Sequence, residues 1–117
     1  MVEVILGLAM ICFPHQGAQQ CHPVLIGDRT QVGEFRLQQR LTETPGYGGD
    51  VLQFLESDTE VYAVHRVWLG NPTQRRLERL ANPDPRQRRI TQGCINVAPE
   101  VYDLLVDCCS DKTISIR

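Results

Sequence analysis

The sequence is almost devoid of lysine and carries no excess of positive charge. Of its 12 lysine and arginine residues only Lys112 is a lysine, and 14 acidic residues give a formal net charge of −2. Because a strongly basic surface is the usual mark of a nucleic-acid binder, this balance excludes that class as a first interpretation. The chain also lacks repeats, low-complexity tracts and linkers, and residues 1–117 are predicted to form one domain.

No apolar run is long enough to cross a membrane, so no membrane span is predicted. Residues 2–11 are apolar apart from Glu3, and no basic segment stands ahead of them. This run therefore indicates a core strand rather than a signal peptide. If the protein works outside the cytoplasm, we expect its leader to lie outside this sequence, or its export route to need none.

Five cysteines are many for a chain of 117 residues, and the odd number leaves at least one unpaired. This favours an oxidising compartment in which Cys94 stays free. Cys12 and Cys21 flank a turn-like stretch, so they either face each other across a hairpin or are buried as small hydrophobic residues. The adjacent Cys108 and Cys109 are expected to point in different directions and not to bridge each other. No metal or other cofactor is predicted.

The residue pattern predicts a mainly β, small α+β domain with short helices. Apolar and β-branched stretches bounded by glycine, proline and asparagine indicate the strands. Pro72 to Leu80 has the first helical pattern, and Pro99 stands where a first helical residue is expected. Strands are predicted within 2–13, 21–27, 35–38, 51–55, 60–69, 89–97 and 113–116.

The stretch Ile90–Val97 is the strongest sign of chemistry, because it places Cys94 directly after Gly93 in a β-rich setting. A nucleophilic thiol needs a base within hydrogen-bond reach, and His65 on an upstream strand is the candidate. A glycine before the cysteine lets a substrate carbonyl approach the backbone amides, which can stabilise an oxyanion. The pattern is typical of a cysteine acyltransferase or hydrolase.

The string Thr91-Gln92-Gly93-Cys94-Ile95-Asn96-Val97-Ala98-Pro99 resembles the signature of L,D-transpeptidase catalytic domains, the YkuD-like family. That signature runs Ser/Thr-x-Gly-Cys, an aliphatic residue, then Arg or Asn, and leads into a short helix. Three further segments match in the same order along nearly the whole chain: Pro23–Gly27, Thr30–Phe35 and Val64–His65. The resemblance implies the family's β-sandwich or barrel.

The resemblance also implies an activity. Cys94 would attack the L-centre to D-centre amide of a peptidoglycan stem peptide, His65 would take and return the proton, and the amides of Gly93 and Cys94 would hold the oxyanion. The acyl-enzyme would pass to an amine in a transpeptidase, or to water in a carboxypeptidase. The implied location is periplasmic or secreted.

The family's pattern is not matched everywhere. Arg66 stands where glycine is usual, Gln92 replaces a common histidine, and the 29 positions from His65 to Cys94 are more than usual. The extra length holds six arginines and is predicted to be a lid or specificity insert that suits carboxylates. Arg89 is the first candidate for binding a substrate carboxylate and Arg66 the second, each equally well explained by a salt bridge. Thr91, Gln92 and Asn96 complete the predicted substrate-binding set.

Three alternatives remain at this stage. The same Cys–His chemistry would serve a secreted antibacterial effector that trims stem peptides, with an immunity or delivery partner. Arg66 and Gln92 also fit a non-catalytic peptidoglycan-binding domain of the same fold. In a third alternative, Cys94 is itself bridged. An activated Cys94 is expected to have a pKa well below that of free cysteine and to alkylate rapidly at neutral pH.

Overall fold

The computed structural model describes residues 1–117 and is mainly β, with two short α-helices, as predicted. The strands are β1 (Val2–Ile5), β2 (Met10–His15), β3 (Ala18–Pro23), β4 (Gly33–Arg36), β5 (Gln38–Leu41), β6 (Asp50–Glu56), β7 (Val61–Arg66), β8 (Ile95–Val97) and β9 (Thr113–Ile116). The helices are α1 (Arg76–Leu80) and α2 (Pro99–Cys109), with 3₁₀ turns at Pro72–Gln74 and Pro85–Arg88. No helix is both long and apolar enough to cross a bilayer.

The strands form two sheets around one core. The first sheet has the order β3-β2-β1-β9-β4, and the second has the order β5-β6-β7-β8. Leu37 separates β4 from β5, so the chain changes sheets at this one fully buried residue. Helix α2 packs against β2 of the first sheet and β7 of the second. Its buried side chains join a single cluster of 20 buried residues drawn from both sheets, which fixes the sheets relative to each other.

The second sheet aligns the two candidate catalytic segments. Strands β7 and β8 pair in parallel, with His65 opposite Asn96, so the histidine strand lies beside the segment that follows Cys94. The strand predicted over 21–27 is displaced: β3 ends at Pro23, and Leu25 instead bridges Asn96. After Pro23 the amide of Val24 donates to the carbonyl of Ala9 and that of Leu25 donates to Asn96, so the chain leaves the β2–β3 ladder at this point. The strand predicted over 89–97 is likewise shorter, because residues before Ile95 form a loop.

The first predicted helix is divided and the second is confirmed. The residue Arg75 has φ of 51°, a left-handed conformation that ends the 3₁₀ turn before α1 begins. Because α-helical φ is negative, the stretch from Pro72 to Leu80 cannot be one helix. Helix α2 begins at Pro99 as predicted and buries Val101 and Leu105, with Tyr102 in addition.

The cysteines divide into two disulfides and one free thiol. Cys12 and Cys21 are direct partners in the β2–β3 ladder and are bonded, which confirms the hairpin alternative. Cys94 is free, as predicted, so the bridged alternative is wrong. The expectation for Cys108 and Cys109 is also wrong, since these neighbours are bonded to each other. Cys108 and Cys109 are the last two residues of α2, directly before its C-cap residue Ser110.

Candidate active site

The loop that carries Cys94 is fixed by the side chain of Thr91. The Thr91 hydroxyl donates to the carbonyl of Cys94 at 2.6 Å and accepts from the amide of Gly93 at 3.2 Å. The carbonyl of Ile26 accepts from the amide of Thr91 at 3.0 Å, which ties the loop to the segment after β3. Thr91 is therefore a positioning residue for the thiol as well as a residue of the cavity wall.

Two glycines allow this loop to pack closely. Gly93 has φ of +144°, and a Cβ at this position would overlap the ring of Tyr62. A Cβ on Gly27 would overlap the backbone carbonyl of Thr91. Both positions therefore require glycine, the first for conformation and space and the second for space alone. The amide of Gly93 is engaged by Thr91, whereas the amide of Cys94 donates to no group within the chain.

His65 is held in one tautomer within the interior. Its Nδ1 lies 2.6 Å from the carbonyl of Arg66, which can only accept, so Nδ1 carries the proton. The unprotonated Nε2 lies 3.4 Å from the Asn96 side-chain nitrogen, which can only donate. The side chain is 3% exposed, and burial lowers the pKa of His65 to about 4. The imidazole is therefore a neutral acceptor at neutral pH.

Cys94 lies at the same cavity but is not hydrogen-bonded to His65. Its Sγ is 3.9 Å from the carbonyl of Val61. Burial raises the pKa of Cys94 above its ordinary value, and a backbone hydrogen bond with Ala63 and the charge of Arg76 offset only part of this. The lowered pKa expected of an activated thiol is therefore wrong for Cys94, because burial dominates and no imidazolium stands beside the sulfur.

A cavity of about 470 Å³ joins the predicted residues. Its walls include four of the predicted site residues, His65, Thr91, Gln92 and Cys94. The rest of the wall comes from strand β7 and the residue before it, the loop between β5 and β6, and the insert: Tyr47, Glu60, Val61, Tyr62, Trp68, Gln74 and Arg76. The insert between His65 and Cys94 thus supplies part of the cavity, as its composition suggested.

Arg76 is the functional candidate that the sequence did not single out. Its Nη1 donates to the Asn96 side-chain oxygen at 2.9 Å, and its guanidinium lies 5.1 Å from the centre of the Trp68 ring. Asn96 is fully buried and also accepts from the Trp68 amide at 3.2 Å, so it links the insert to His65. The arginine-rich composition pointed to this segment, but only the turn at Arg75 decides which arginine faces inward.

The two arginines predicted to bind substrate lie away from the cavity. The guanidinium of Arg66 is 2.9 Å from the Asp50 carboxylate and lies over the Tyr102 ring at 4.2 Å. Arg89 is exposed and lies 3.4 Å from the Asp28 carboxylate. Both arginines therefore form salt bridges, which was the alternative to substrate binding that the sequence analysis left open. The exposed side chain of Gln92 does reach the cavity.

These features define a class: a two-sheet, mainly β domain with a free cysteine and a buried histidine at one cavity. No family model and no curated protein sequence matches the chain. Among solved structures it is similar to L,D-transpeptidase 3 from Mycobacterium tuberculosis, with a TM-score of 0.67 and 10% identity. It is also similar to an L,D-transpeptidase from Stackebrandtia nassauensis, with a TM-score of 0.61 and 14% identity.

A third similar structure is an L,D-transpeptidase in complex with imipenem, with a TM-score of 0.63 and 13% identity. All three similarities cover 99% of this chain, which spans 60% of the M. tuberculosis protein, 54% of the S. nassauensis protein and 57% of the protein in the imipenem complex. At these identities the likeness concerns the fold. The chain has the fold of the L,D-transpeptidase catalytic domain, as the motifs predicted.

Proposed function

We propose that this protein is a cysteine-dependent enzyme that acts on the L–D amide bonds of peptidoglycan stem peptides. The observation that carries this proposal is that the free thiol of Cys94 and the unprotonated Nε2 of His65 belong to one cavity of an L,D-transpeptidase fold. A neutral imidazole whose other nitrogen is fixed by a carbonyl is a ready general base.

In the proposed first step, the proton of the Cys94 thiol passes to Nε2 of His65 as Sγ attacks the carbonyl carbon of the scissile amide. For this, Nε2 exchanges its contact with Asn96 for a contact with Sγ, a local change of the kind that substrate binding promotes. The Arg66 carbonyl then stabilises the imidazolium through Nδ1. The resting site thereby keeps the thiol protonated until an acyl donor is bound.

The carbonyl oxygen becomes an oxyanion as the sulfur–carbon bond forms. The amide of Cys94 is free to donate to it, whereas the amide of Gly93 must first release Thr91. The imidazolium then protonates the leaving amine, the carbon–nitrogen bond breaks, and a thioester remains on Cys94. An amine or water completes the cycle, giving transpeptidase or carboxypeptidase action. This substrate places the proposed work in the periplasm or outside the cell.

The direct test is mass spectrometry of tetrapeptide stem fragments incubated with the protein and with Cys94→Ala. Loss of the terminal D-amino acid or a new cross-link, given only by the parent protein, is the expected result. Turnover by a folded Cys94→Ala protein would exclude Cys94 as nucleophile. A matched variant, His65→Gln, should retain the thiol and lose turnover, because the general base is absent.

Imipenem offers a second test, since it is the ligand of one similar structure. Attack by Sγ on its lactam carbonyl breaks the ring carbon–nitrogen bond and expels no group, so Cys94 should gain the mass of one whole imipenem molecule. The other cysteines are in disulfides and do not compete. An unmodified parent protein at saturating imipenem would contradict the proposed acylation.

A non-catalytic peptidoglycan-binding domain is the second candidate, and two observations favour it: Sγ bonds to the Val61 carbonyl and not to His65, and burial raises the pKa of Cys94. On that proposal, stem peptides bind without change, and Cys94→Ala binds them equally well. Product formation by the parent protein would eliminate it. The antibacterial-effector alternative stays a prediction, which the growth of bacteria that direct the chain to their periplasm would test.

A further inference from the structure

Arg76 is a half-buried cation without a carboxylate partner. Six other arginines lie within ion-pair distance of an acidic side chain: Arg29, Arg66, Arg75, Arg86, Arg89 and Arg117. Arg76 instead contacts only neutral groups, although it is one of the less exposed arginines of the chain. Arg79 and Arg88 also lack a carboxylate partner, but both donate to backbone carbonyls and neither lines the cavity that contains Cys94. Arg76 is therefore the unpaired cation that an anion in this cavity can reach.

The guanidinium is oriented by three contacts. Its Nε donates to the Gln74 side-chain oxygen at 2.8 Å, its Nη1 donates to Asn96, and Trp68 lies beneath it. These contacts leave Nη2 with no hydrogen bond inside the chain, and the residue lines the cavity that contains Cys94. A guanidinium held in this way is preorganised to donate to a bound carboxylate.

The surrounding groups do not neutralise this charge. Tyr47 and Cys94 are close enough to interact electrostatically with Arg76, but burial raises the pKa of both, so both are neutral at pH 7. Glu60, the acidic residue in the cavity wall, is engaged by Arg29 at 3.2 Å and by the Tyr62 hydroxyl. The cavity next to the thiol therefore carries an uncompensated positive charge.

We propose that Arg76 binds the free carboxylate of the leaving D-amino acid, so that this enzyme selects the last amide bond of a stem peptide. The inference rests on the proposed function for its substrate class. Three covalent bonds separate a scissile carbonyl carbon from the carboxylate carbon of the next residue, a span of about 4 Å. Arg76 lines the same cavity as Cys94 and interacts with it electrostatically, so a carboxylate this close to the scissile bond is the one it can meet. Carboxylates on the acyl side chain are several bonds further away.

The first experiment compares two stem peptides that differ only at the C-terminus, one a free acid and the other a primary amide. The parent protein should process the acid about tenfold or more faster in kcat/KM, as expected for a charge-assisted hydrogen bond. Arg76→Gln should lose this preference through a slower reaction with the acid. Arg86→Gln removes the same charge from an exposed position of the same insert, away from the cavity, and should keep the preference. Equal acid preference in both variants would overturn the proposal.

The second experiment needs no turnover and so separates this inference from the proposed function. Sγ displaces iodide from iodoacetate, which carries a carboxylate, and from iodoacetamide, which is its neutral counterpart. The ratio of the two rates cancels any change in the thiolate fraction. We expect Arg76→Gln to lower the iodoacetate-to-iodoacetamide ratio about threefold or more at constant ionic strength, with Arg86→Gln unchanged.

The outcomes of the two experiments are distinguishable. If no peptide is processed but the alkylation ratio falls only in Arg76→Gln, the proposed function fails while a carboxylate site at Arg76 stands. If peptides are processed and the ratio falls, yet the acid preference survives in Arg76→Gln, the assignment to the leaving residue is overturned. An alkylation ratio that is the same in both variants overturns the carboxylate site itself.

Discussion

The reactivity of Cys94 should follow an ordinary thiol titration that is displaced to higher pH. Burial raises the pKa of Cys94, and His65 is neutral above about pH 4 to 5 and makes no hydrogen bond with Sγ. Without an imidazolium beside it, the thiolate has only Arg76 as a stabilising cation. The rate of alkylation by iodoacetamide should therefore rise continuously from pH 6 to pH 9, with no plateau in the neutral range.

The magnitude follows from the thiolate fraction. A thiol at the ordinary pKa of 9.0 is about 1% ionised at pH 7, and Cys94 lies above that value. Each unit of pH should then raise the alkylation rate about tenfold. The guanidinium-denatured protein is the matched control, because its disulfides keep Cys94 as the one free thiol. Native Cys94 should react more slowly than denatured Cys94 at every pH in this range.

Two variants test which groups determine the titration of Cys94. His65→Gln should change the alkylation rate at pH 7 less than about twofold, because the imidazole is not bonded to Sγ. Arg76→Gln should slow it, since the guanidinium charge lowers the pKa of Cys94. An inflection between pH 5 and 7 that disappears in His65→Gln would reveal a thiolate–imidazolium pair. That result would refute a neutral His65 that makes no hydrogen bond with Sγ of Cys94.

Three further predictions concern stability and can be measured by urea unfolding. Between pH 6.5 and pH 4 the histidine of the unfolded chain becomes protonated, whereas buried His65 in the folded protein stays neutral. The free energy of unfolding should therefore fall by about 3 kcal/mol as the pH falls through this range. An equal fall in His65→Gln would contradict this. Gly27→Ala should lower the free energy of unfolding by about 3 kcal/mol, because its methyl group displaces Thr91, and it should prevent acylation by imipenem. Gly7→Ala is the control and should leave stability unchanged, since its methyl group meets no atom within 4 Å. Equal effects of the two variants would contradict the packing argument. Replacing the bonded cysteines of β2 and β3 by serine should cost about 2–3 kcal/mol, and an unchanged midpoint would show that the hairpin is closed without them.

Much of the fold was predictable because its signals are local. The strand around His65, the start of α2 at Pro99 and the free thiol at Cys94 each follow from residues within a few positions. The hairpin that pairs Cys12 with Cys21 is also local, since both sides of one turn are short β stretches. Periodicity and proline placement were sufficient for the strand and the helix, whereas the sequence left the Cys12–Cys21 pairing open beside burial of the two residues as separate hydrophobic side chains.

The site was less predictable because its contacts depend on distant parts of the chain. The left-handed turn at Arg75 decides that Arg76 faces the cavity, and no residue preference signals such a turn at an arginine. Whether Sγ or Asn96 occupies Nε2 of His65 depends on the packing of β7 against β8. Composition located the arginine-rich insert correctly but gave no basis for choosing among its six arginines.

Arg66 stands where the L,D-transpeptidase pattern usually has glycine, but strand geometry keeps its side chain out of the cavity. Successive side chains of a strand point to opposite faces, so His65 faces the cavity while Arg66 contacts Asp50 and lies over Tyr102 of helix α2. The proposed mechanism uses only the backbone carbonyl of position 66, which accepts from Nδ1 whatever the side chain. An enzyme and a binding domain therefore differ in one contact: in the enzyme, Sγ of Cys94 replaces the Asn96 side chain at Nε2 of His65. Acylation of Cys94 by imipenem tests whether this replacement occurs.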